Sequence, residues 1–208
     1  MPSALYSVVP MPVETEIKFR VHDLSALAAR LHSAGFRLET PRSFESNTLY
    51  DTPHRLMRAR TEILRIRSYA GHWTLTHKRL PGPGIPREGR HKHRIETETQ
   101  IAHGAALADF FLSLGLVAAF RYEKWRTEWA DLGEHGVNGH CVIDETPIGN
   151  YAELEGPSKW IDRAALRLCV DSADYITLSY GRLFDQWRQQ HRSTAEELTF
   201  AVVAASMR

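Results

Sequence analysis

Charge in this chain is confined to one side of strand after strand. Side chains on a strand alternate between its two faces, so residues of like parity stand together. Over residues 12–21 that groups Glu14, Glu16 and Lys18 against Thr15, Ile17 and Phe19. Arg65 and Arg67 share a face opposite Leu64 and Ile66. Thr74, Thr76 and Lys78 lie across from Trp73 and Leu75, and Lys92, Arg94, Glu96 and Glu98 lie across from His93, Ile95 and Thr97. The pattern returns with Lys124, Arg126 and Glu128, with Asp144, and with Glu153 and Glu155 against Ala152 and Leu154. An antiparallel sheet with one wet face accommodates exposed charge, but Glu and Lys are depleted in strand centres. Here they also come in pairs of one sign: acidic at 14 and 16, 96 and 98, 153 and 155; basic at 65 and 67, 92 and 94, 124 and 126. A solvent face needs no such grouping. A sheet that curls with these faces inward makes a barrel whose lumen holds carboxylates and cations, sorted by sign onto facing walls.

Buried charge of that density is expensive unless it is paired or neutralised by a ligand. The ligand that suits many cations together with many carboxylates is a polyanion accompanied by a divalent metal. Oxygen-only sites fit magnesium or manganese and leave metal positions open to phosphate oxygens.

Period-two alternation and flanking turn residues predict strands over 12–21, 43–51, 62–69, 72–79, 90–100, 119–131, 139–145 and 149–155. Helical spacing predicts helices from Leu24 to Ala34, capped by Asp23 and stopped by Gly35, over about 103–114 before Gly115, near 159–170, and over 176–191. Many strands with interspersed helices indicate an α+β fold on a large, mainly antiparallel sheet or barrel. Residues 1–11 read as a lead-in, 12–192 as the domain and 193–208 as a tail.

The whole-molecule charge excludes other classes. Lys and Arg number 26 against 25 Asp and Glu, a net +1, which gives no electrostatic reason for nucleic-acid or membrane-surface binding. No run of about 18 apolar residues and no signal-peptide pattern occur, so a soluble, cytoplasmic protein is expected. Cys141 and Cys169 lack CxxC spacing and are expected as small buried hydrophobes. His91 and His93 fall opposite the charged face, without further zinc ligands at suitable spacing. The loop Pro81 to Pro86 lacks the Lys-Ser or Lys-Thr and the following helix of a P-loop. Trp73, Trp125, Trp129, Trp160 and Trp187 read as packing between barrel and helices, although one at a tunnel mouth would meet a substrate ring. No nucleophilic residue is assigned.

The ordered motifs resemble the CYTH superfamily, the triphosphate tunnel metalloenzymes that include class IV adenylate cyclases, thiamine triphosphatases and inorganic triphosphatases. The family's opening Glu-x-Glu-x-Lys stands as Glu14-Thr-Glu16-Ile-Lys18. Tyr50-Asp51-Thr52-Pro53, Leu64-Arg65-Ile66-Arg67, Leu75-Thr76-His77-Lys78, Arg94-Ile95-Glu96-Thr97-Glu98, Glu123-Lys124-Trp125-Arg126, Asp144 with Gly149, and Glu153-Leu154-Glu155 follow in order. Tyr175 to Trp187 looks like the family's closing helix. Arg60-Thr61-Glu62-Ile63 is more polar than the approach to Leu64 in relatives, and the loop after Lys78 is placed to cover one mouth.

The resemblance implies an eight-stranded antiparallel β-barrel, a tunnel with flanking helices, binding a triphosphate-containing small molecule with one or two Mg2+ or Mn2+ ions. It implies metal at Glu14, Glu16, Glu153 and Glu155, with Glu96, Glu98 and Asp144 as further carboxylates close by. Phosphate oxygens fall to Lys18, Arg65, Arg67, Lys78, Lys124 and Arg126, joined by Arg94 and Lys92. Glu16, Glu153 or Asp144 would accept the catalytic proton, in no order the sequence decides. Hydrolysis of a terminal phosphate from inorganic, nucleoside or thiamine triphosphate is the expected reaction. Cyclisation of ATP with loss of diphosphate, and sequestration of polyphosphate or nucleotide without turnover, stay open, as does a dimer.

Overall fold

A computed structural model describes residues 13–82, 89–133 and 136–207. The lead-in and most of the Pro81 to Pro86 loop lie outside them. The strands are β1 (Val13–Arg20), β2 (Phe36–Asp51), β3 (Ile63–Tyr69), β4 (His72–Arg79), β5 (Lys92–Ile101), β6 (Val117–Gly133), β7 (Gly136–Thr146) and β8 (Gly149–Glu155). They close into one antiparallel barrel in the order β1-β5-β4-β3-β2-β6-β7-β8. Helices α1 (Leu24–Ser33), α2 (Leu56–Ala59), α3 (Gly104–Ser113), α4 (Ser158–Arg167), α5 (Tyr180–His191) and α6 (Phe200–Ser206) flank it. None is long and apolar enough to cross a membrane.

The barrel is apolar outside and charged inside because the helices cover its outer face. Ile17 and Phe19 of β1 and Ala152 and Leu154 of β8 point out to meet Leu27 and Leu31 of α1 and Trp160, Ile161 and Ala165 of α4. A second cluster sets Tyr151 against Leu183 and Phe184 of α5, with Ala195, Leu198 and Val203 from the C-terminal stretch. That stretch, read from sequence as a tail, is tied to β6: Leu198 N donates to Arg121 O and Glu123 N to Leu198 O, both at 3.0 Å.

Helix ends follow their local chemistry. The Asp23 side chain accepts from Ala26 N at 2.8 Å at the start of α1, and Gly35 and Gly115 close α1 and α3 at φ +86° and +82°, where a Cβ would be strained. The helix expected from 176 begins at Tyr180, capped by Ser179. Ile176 is held extended by paired backbone hydrogen bonds with Lys18, at 2.7 and 3.0 Å. Strand β2 begins at Phe36, seven residues before the alternation becomes readable. Its pairing with β6 shifts register between Leu38 and Thr40 and again before Ser43, around Pro41, which has no N–H to contribute to a ladder. Cys141 is fully buried, as expected, but Cys169 is exposed. It sits at φ +56° in the turn after α4, where the buried neighbours are Leu168 and Val170.

Candidate active site

The inward faces enclose a cavity of about 560 Å³, within the range of small-molecule sites. Its lining includes Glu14, Glu16 and Lys18 from β1, Arg65 and Arg67 from β3, Lys78 from β4, and Lys92, Arg94, Glu96 and Glu98 from β5. Lys124 and Arg126 from β6 and Glu153 and Glu155 from β8 complete the charged wall. Asp144 is brought to the same interior but not to the cavity surface.

The charges are not sorted by sign onto facing walls. Register places acids beside bases on neighbouring strands: Glu16 opposite Lys92, Lys18 opposite Glu153, Lys78 opposite Glu96 and Arg126 opposite Asp144. Pairs of like sign along one strand thereby become alternating charge around the barrel, which is how the interior tolerates them. Lys78 Nζ lies 2.7 Å from Glu14 and 3.1 Å from Glu96, Lys92 Nζ 2.5 Å from Glu16, and Arg67 3.1 Å from Glu98. Lys18 donates to Glu153, and Arg126 reaches Glu153 at 2.8 Å.

One acidic group remains short of cations. Carboxylate oxygens of Glu14, Glu16 and Glu155 all lie within 4.8 Å of one another. Burial raises Glu16, but Lys92 and Lys18 outweigh it and hold the carboxyl down at about 2. Burial, only partly opposed by Lys78, pushes Glu14 up to about 7. Burial with Glu153 and Glu14 nearby pushes Glu155 up to about 8. Among the described residues no cation stands within ion-pair distance of Glu155. Converging hard oxygen donors, with Glu155 unpaired and Glu14 only partly offset, fit a divalent cation such as Mg2+ or Mn2+. Glu153, engaged with Lys18 and Arg126, and Glu96 and Glu98, engaged with Lys78 and Arg67, do not join this convergence; within the trio Glu14 and Glu16 also hold Lys78 and Lys92, and Glu155 is the member left without a cation among the described residues.

Below the cavity lies a sealed layer that sequence reasoning only partly found. Asp144, fully buried, accepts from Arg126 Nε and a terminal nitrogen at 2.7 Å each, from Lys124 at 2.9 Å and from the Tyr180 hydroxyl at 2.6 Å. Its oxygens are fully engaged, as a positioning group's would be. Glu45, missed from sequence and equally buried, lies 3.3 Å from Lys124 and 3.6 Å from Arg126. Burial raises it, but those two cations bring it to about 2. Like parity sets Glu45 with Asn47 opposite Phe44, a signal that alternation could have read; in the structure Glu45 and Asn47 are buried and Phe44 is exposed. Nothing in the sequence indicates that Tyr180, the first residue of α5, reaches across to β7.

Arg65 is held by neutral groups, donating to Tyr122 Oη and Thr76 Oγ1 at 3.1 Å each. Its Nε is buried without an acceptor, and its nearest carboxylate, Glu98, is 3.6 Å away. Arg94 donates to the His93 carbonyl at 2.8 Å. Burial lowers its pKa, with Glu16 and Glu14 opposing. Both guanidiniums are therefore better placed to accept an incoming anion than the cations locked to carboxylates.

At the mouth, the Tyr50-Asp51-Thr52-Pro53 motif has a structural job. Asp51 accepts from Met57 N and Arg58 N at 2.9 Å, which anchors α2 and sets Arg55 and Arg58 at the rim. Thr61, Glu62 and Ile63, the polar approach noted in the sequence, line the same rim with Phe120 and Arg182. None of the five tryptophans lines the cavity; the aromatic rings there are Tyr50, Phe120, Tyr122 and Tyr180. His91 and His93 face outward, toward Asp162 and Thr15 at 2.9 Å each.

The CYTH domain profile matches residues 12–166. A search of the curated proteins returns no match. Among solved structures, a Vibrio parahaemolyticus protein provisionally assigned as an adenylate cyclase superposes at TM-score 0.68 and 20% identity, covering 83% of this chain and 97% of its own. The PH1012 protein of Pyrococcus horikoshii OT3 superposes at 0.67 and 19%, covering 82% and 98%. Hippeastrum HpAC1, provisionally an adenylyl cyclase and described as having a dominant triphosphatase activity, superposes at 0.58 and 18%, covering 84% and 96%. At such identities the superpositions speak for the fold, while the profile spans most of the chain and its first motif opens β1: the protein belongs to the CYTH family.

Proposed function

We propose that this protein hydrolyses a terminal phosphate from a triphosphate inside the barrel, in a reaction that depends on a divalent cation. The observation that carries the reading is the convergence of Glu14, Glu16 and Glu155 beside Lys18, Lys78, Arg65 and Arg94 in one lumen. Without a ligand, most cations are committed to carboxylates, so a triphosphate alone would meet acids at every turn. When bound by the trio, Mg2+ or Mn2+ supplies charge neutralisation and lowers the pKa of water. The family's substrate class, and the activity described for the Hippeastrum relative, support the same reading.

Phosphoryl transfer requires alignment and charge stabilisation more than a covalent catalyst. Arg65, which lines the cavity, would offer its guanidinium to a phosphate oxygen from a frame fixed by Tyr122 and Thr76. Lys18, Lys78, Lys92, Lys124, Arg67, Arg94 and Arg126 would share the remaining charge as their carboxylate contacts loosen. Glu16 and Glu153, both lining the cavity, are the candidates for proton acceptor, while Asp144, sealed by its donors, orients Lys124 and Arg126. The rim formed by Phe120, Leu64 and Arg58 would receive whatever the triphosphate is attached to.

Incubation with Mg2+ or Mn2+ and inorganic triphosphate, ATP or thiamine triphosphate tests the reading. Metal-dependent release of phosphate is the expected result. Cyclic AMP with diphosphate from ATP would replace hydrolysis by cyclisation, and tight binding with no product would make the protein a sequestering module.

A further inference from the structure

Outside the mouth, the cavity abuts a second depression of about 450 Å³, and the two share Arg58, Arg182 and Asp185. The outer depression is completed by Arg188, Gln189, Arg192 and Ser193. Along α5, Arg182, Asp185, Gln189 and the C-cap Arg192 follow at three- and four-residue steps and form one stripe. From Arg182 to Arg192 it extends ~15 Å at the helical rise.

Charge separates this groove from the lumen. Its lining contains Arg58, Arg182, Arg188 and Arg192 against Asp185 as the sole carboxylate among the described residues. Asp185 stands 3.1 Å from Arg58 and 4.0 Å from Arg182, both exposed, so water screens the pairing. Arg188 and Arg192 have no carboxylate within ion-pair distance among the described residues. The Arg188 guanidinium lies 5.7 Å from the centre of the Phe184 ring, and its Nε is buried with no acceptor. A groove with surplus cations and no acidic cluster takes an anion directly, without recruiting metal. It also has no aromatic lining residue on which a base could stack, which disfavours a nucleic-acid strand.

We propose that this arginine groove binds the distal phosphates of a linear inorganic polyphosphate whose terminal phosphates enter the barrel. The inference rests on the lumen being a triphosphate site, and extends it to chains longer than three phosphates. The groove continues the path of the chain past the rim, so binding there and in the lumen are linked through one molecule.

The experiment is equilibrium binding of tripolyphosphate and of long-chain polyphosphate to the full chain with Mn2+ present, read at 4 °C before appreciable phosphate release, with phosphate release at working temperature followed on the same preparations. The long chain is expected to bind about a hundredfold tighter, the low end of what linked contacts deliver. In Arg188→Gln/Arg192→Gly that ratio falls toward one. Glycine suits the positive φ of 51° at Arg192, and glutamine is a good helix former. Gln189→Glu, an exposed change on the same stripe, lowers the ratio without touching packing. Equal affinity for the two chains, a ratio that survives in both variants, or a groove-dependent preference for 5′-triphosphorylated RNA over polyphosphate overturns the proposal. Loss of phosphate release with the ratio intact removes the hydrolytic reading and leaves the groove standing; the reverse removes the groove alone.

Discussion

The Tyr180 hydroxyl donates to Asp144 Oδ2 at 2.6 Å, joining the first turn of α5 to β7 beneath the lumen. Burial, reinforced by Asp144, holds the Tyr180 pKa well above its ordinary value, so the phenol remains a donor throughout the physiological range. Its ring also lies 4.7 Å from Lys18 Nζ and 5.1 Å from Lys124 Nζ. Tyr180→Phe keeps the ring but removes a hydrogen bond to a buried carboxylate, for a loss of about 1.5–3 kcal/mol. Denaturant unfolding measures it. A silent substitution would mean that Lys124 and Arg126 alone satisfy Asp144.

The carboxylate trio predicts an unusual pH dependence. Glu14 and Glu155 keep their protons in the folded protein up to about 7 and 8, whereas the ordinary value is 4.5. Between about 4.5 and 8 the native state therefore binds more protons than the unfolded chain, so these two groups lower stability as pH rises through that window. Glu16 and Glu45, held at about 2, work the other way: their stabilisation is present above 4.5 and lost only as pH falls toward 2. Divalent cations need the trio ionised. The rise in Tm caused by Mg2+ or Mn2+ is thus expected to be larger at pH 8.5 than at pH 6. Glu155→Gln should raise the metal-free Tm at pH 8.5 and shrink the metal response. A metal response independent of pH in the unmodified protein would remove the trio as its origin.

Strand parity made the interior legible because the period of two is fixed by backbone geometry. Glu14, Glu16, Lys18, Arg65, Arg67 and Lys78 all reach the lumen for that reason. What parity cannot give is register, which depends on which strands become neighbours. Like-signed pairs along each strand suggested walls of opposite sign; the pairing of Lys18 with Glu153 and Lys78 with Glu96 makes the charge alternate instead. Glu45 lies within the strand that alternation predicts over 43–51, but Ser43 and Asn47 flank it on its face, so it lacks the charged partner two residues away that marked the other strands. Tyr180 and the extended Ile176 are set by tertiary contacts with Asp144 and Lys18, and a helical periodicity running through 176–191 carries no trace of them.

Lys18 and Glu153 form a buried pair whose members depend on each other. Removing one partner strands the other away from water, at a cost of about 3–5 kcal/mol, whereas replacing both is often much milder. Lys18→Met and Glu153→Gln should each destabilise strongly, and the double variant should be more stable than the sum of the two losses predicts. Arg126, 2.8 Å from Glu153, limits the damage in Lys18→Met. Additive losses in a double-mutant cycle would show that the pair is not coupled.

Arg65 and Arg126 are both buried arginines of the lumen, yet their substitutions should separate activity from stability. Arg126 is the fork on which Asp144, Glu153 and Glu45 converge, so Arg126→Ala leaves buried carboxylates uncompensated and should unfold the protein readily. Arg65 leans on Tyr122 and Thr76, and Thr76 Oγ1 keeps its own bond to Glu98 at 2.7 Å when the guanidinium is gone. Arg65→Ala should therefore change Tm far less, while triphosphate turnover falls by about 10²–10³-fold, the usual cost of deleting one donor to a charge that develops in the transition state. Arg65→Lys keeps the charge without the planar fork and should fall between the two. Turnover and thermal unfolding measured on all three proteins decide the matter: wild-type kcat/KM in Arg65→Ala would mean that the Arg65 guanidinium is not the phosphate donor, and an Arg126→Ala protein as stable as Arg65→Ala would mean that the sealed layer does not carry the barrel.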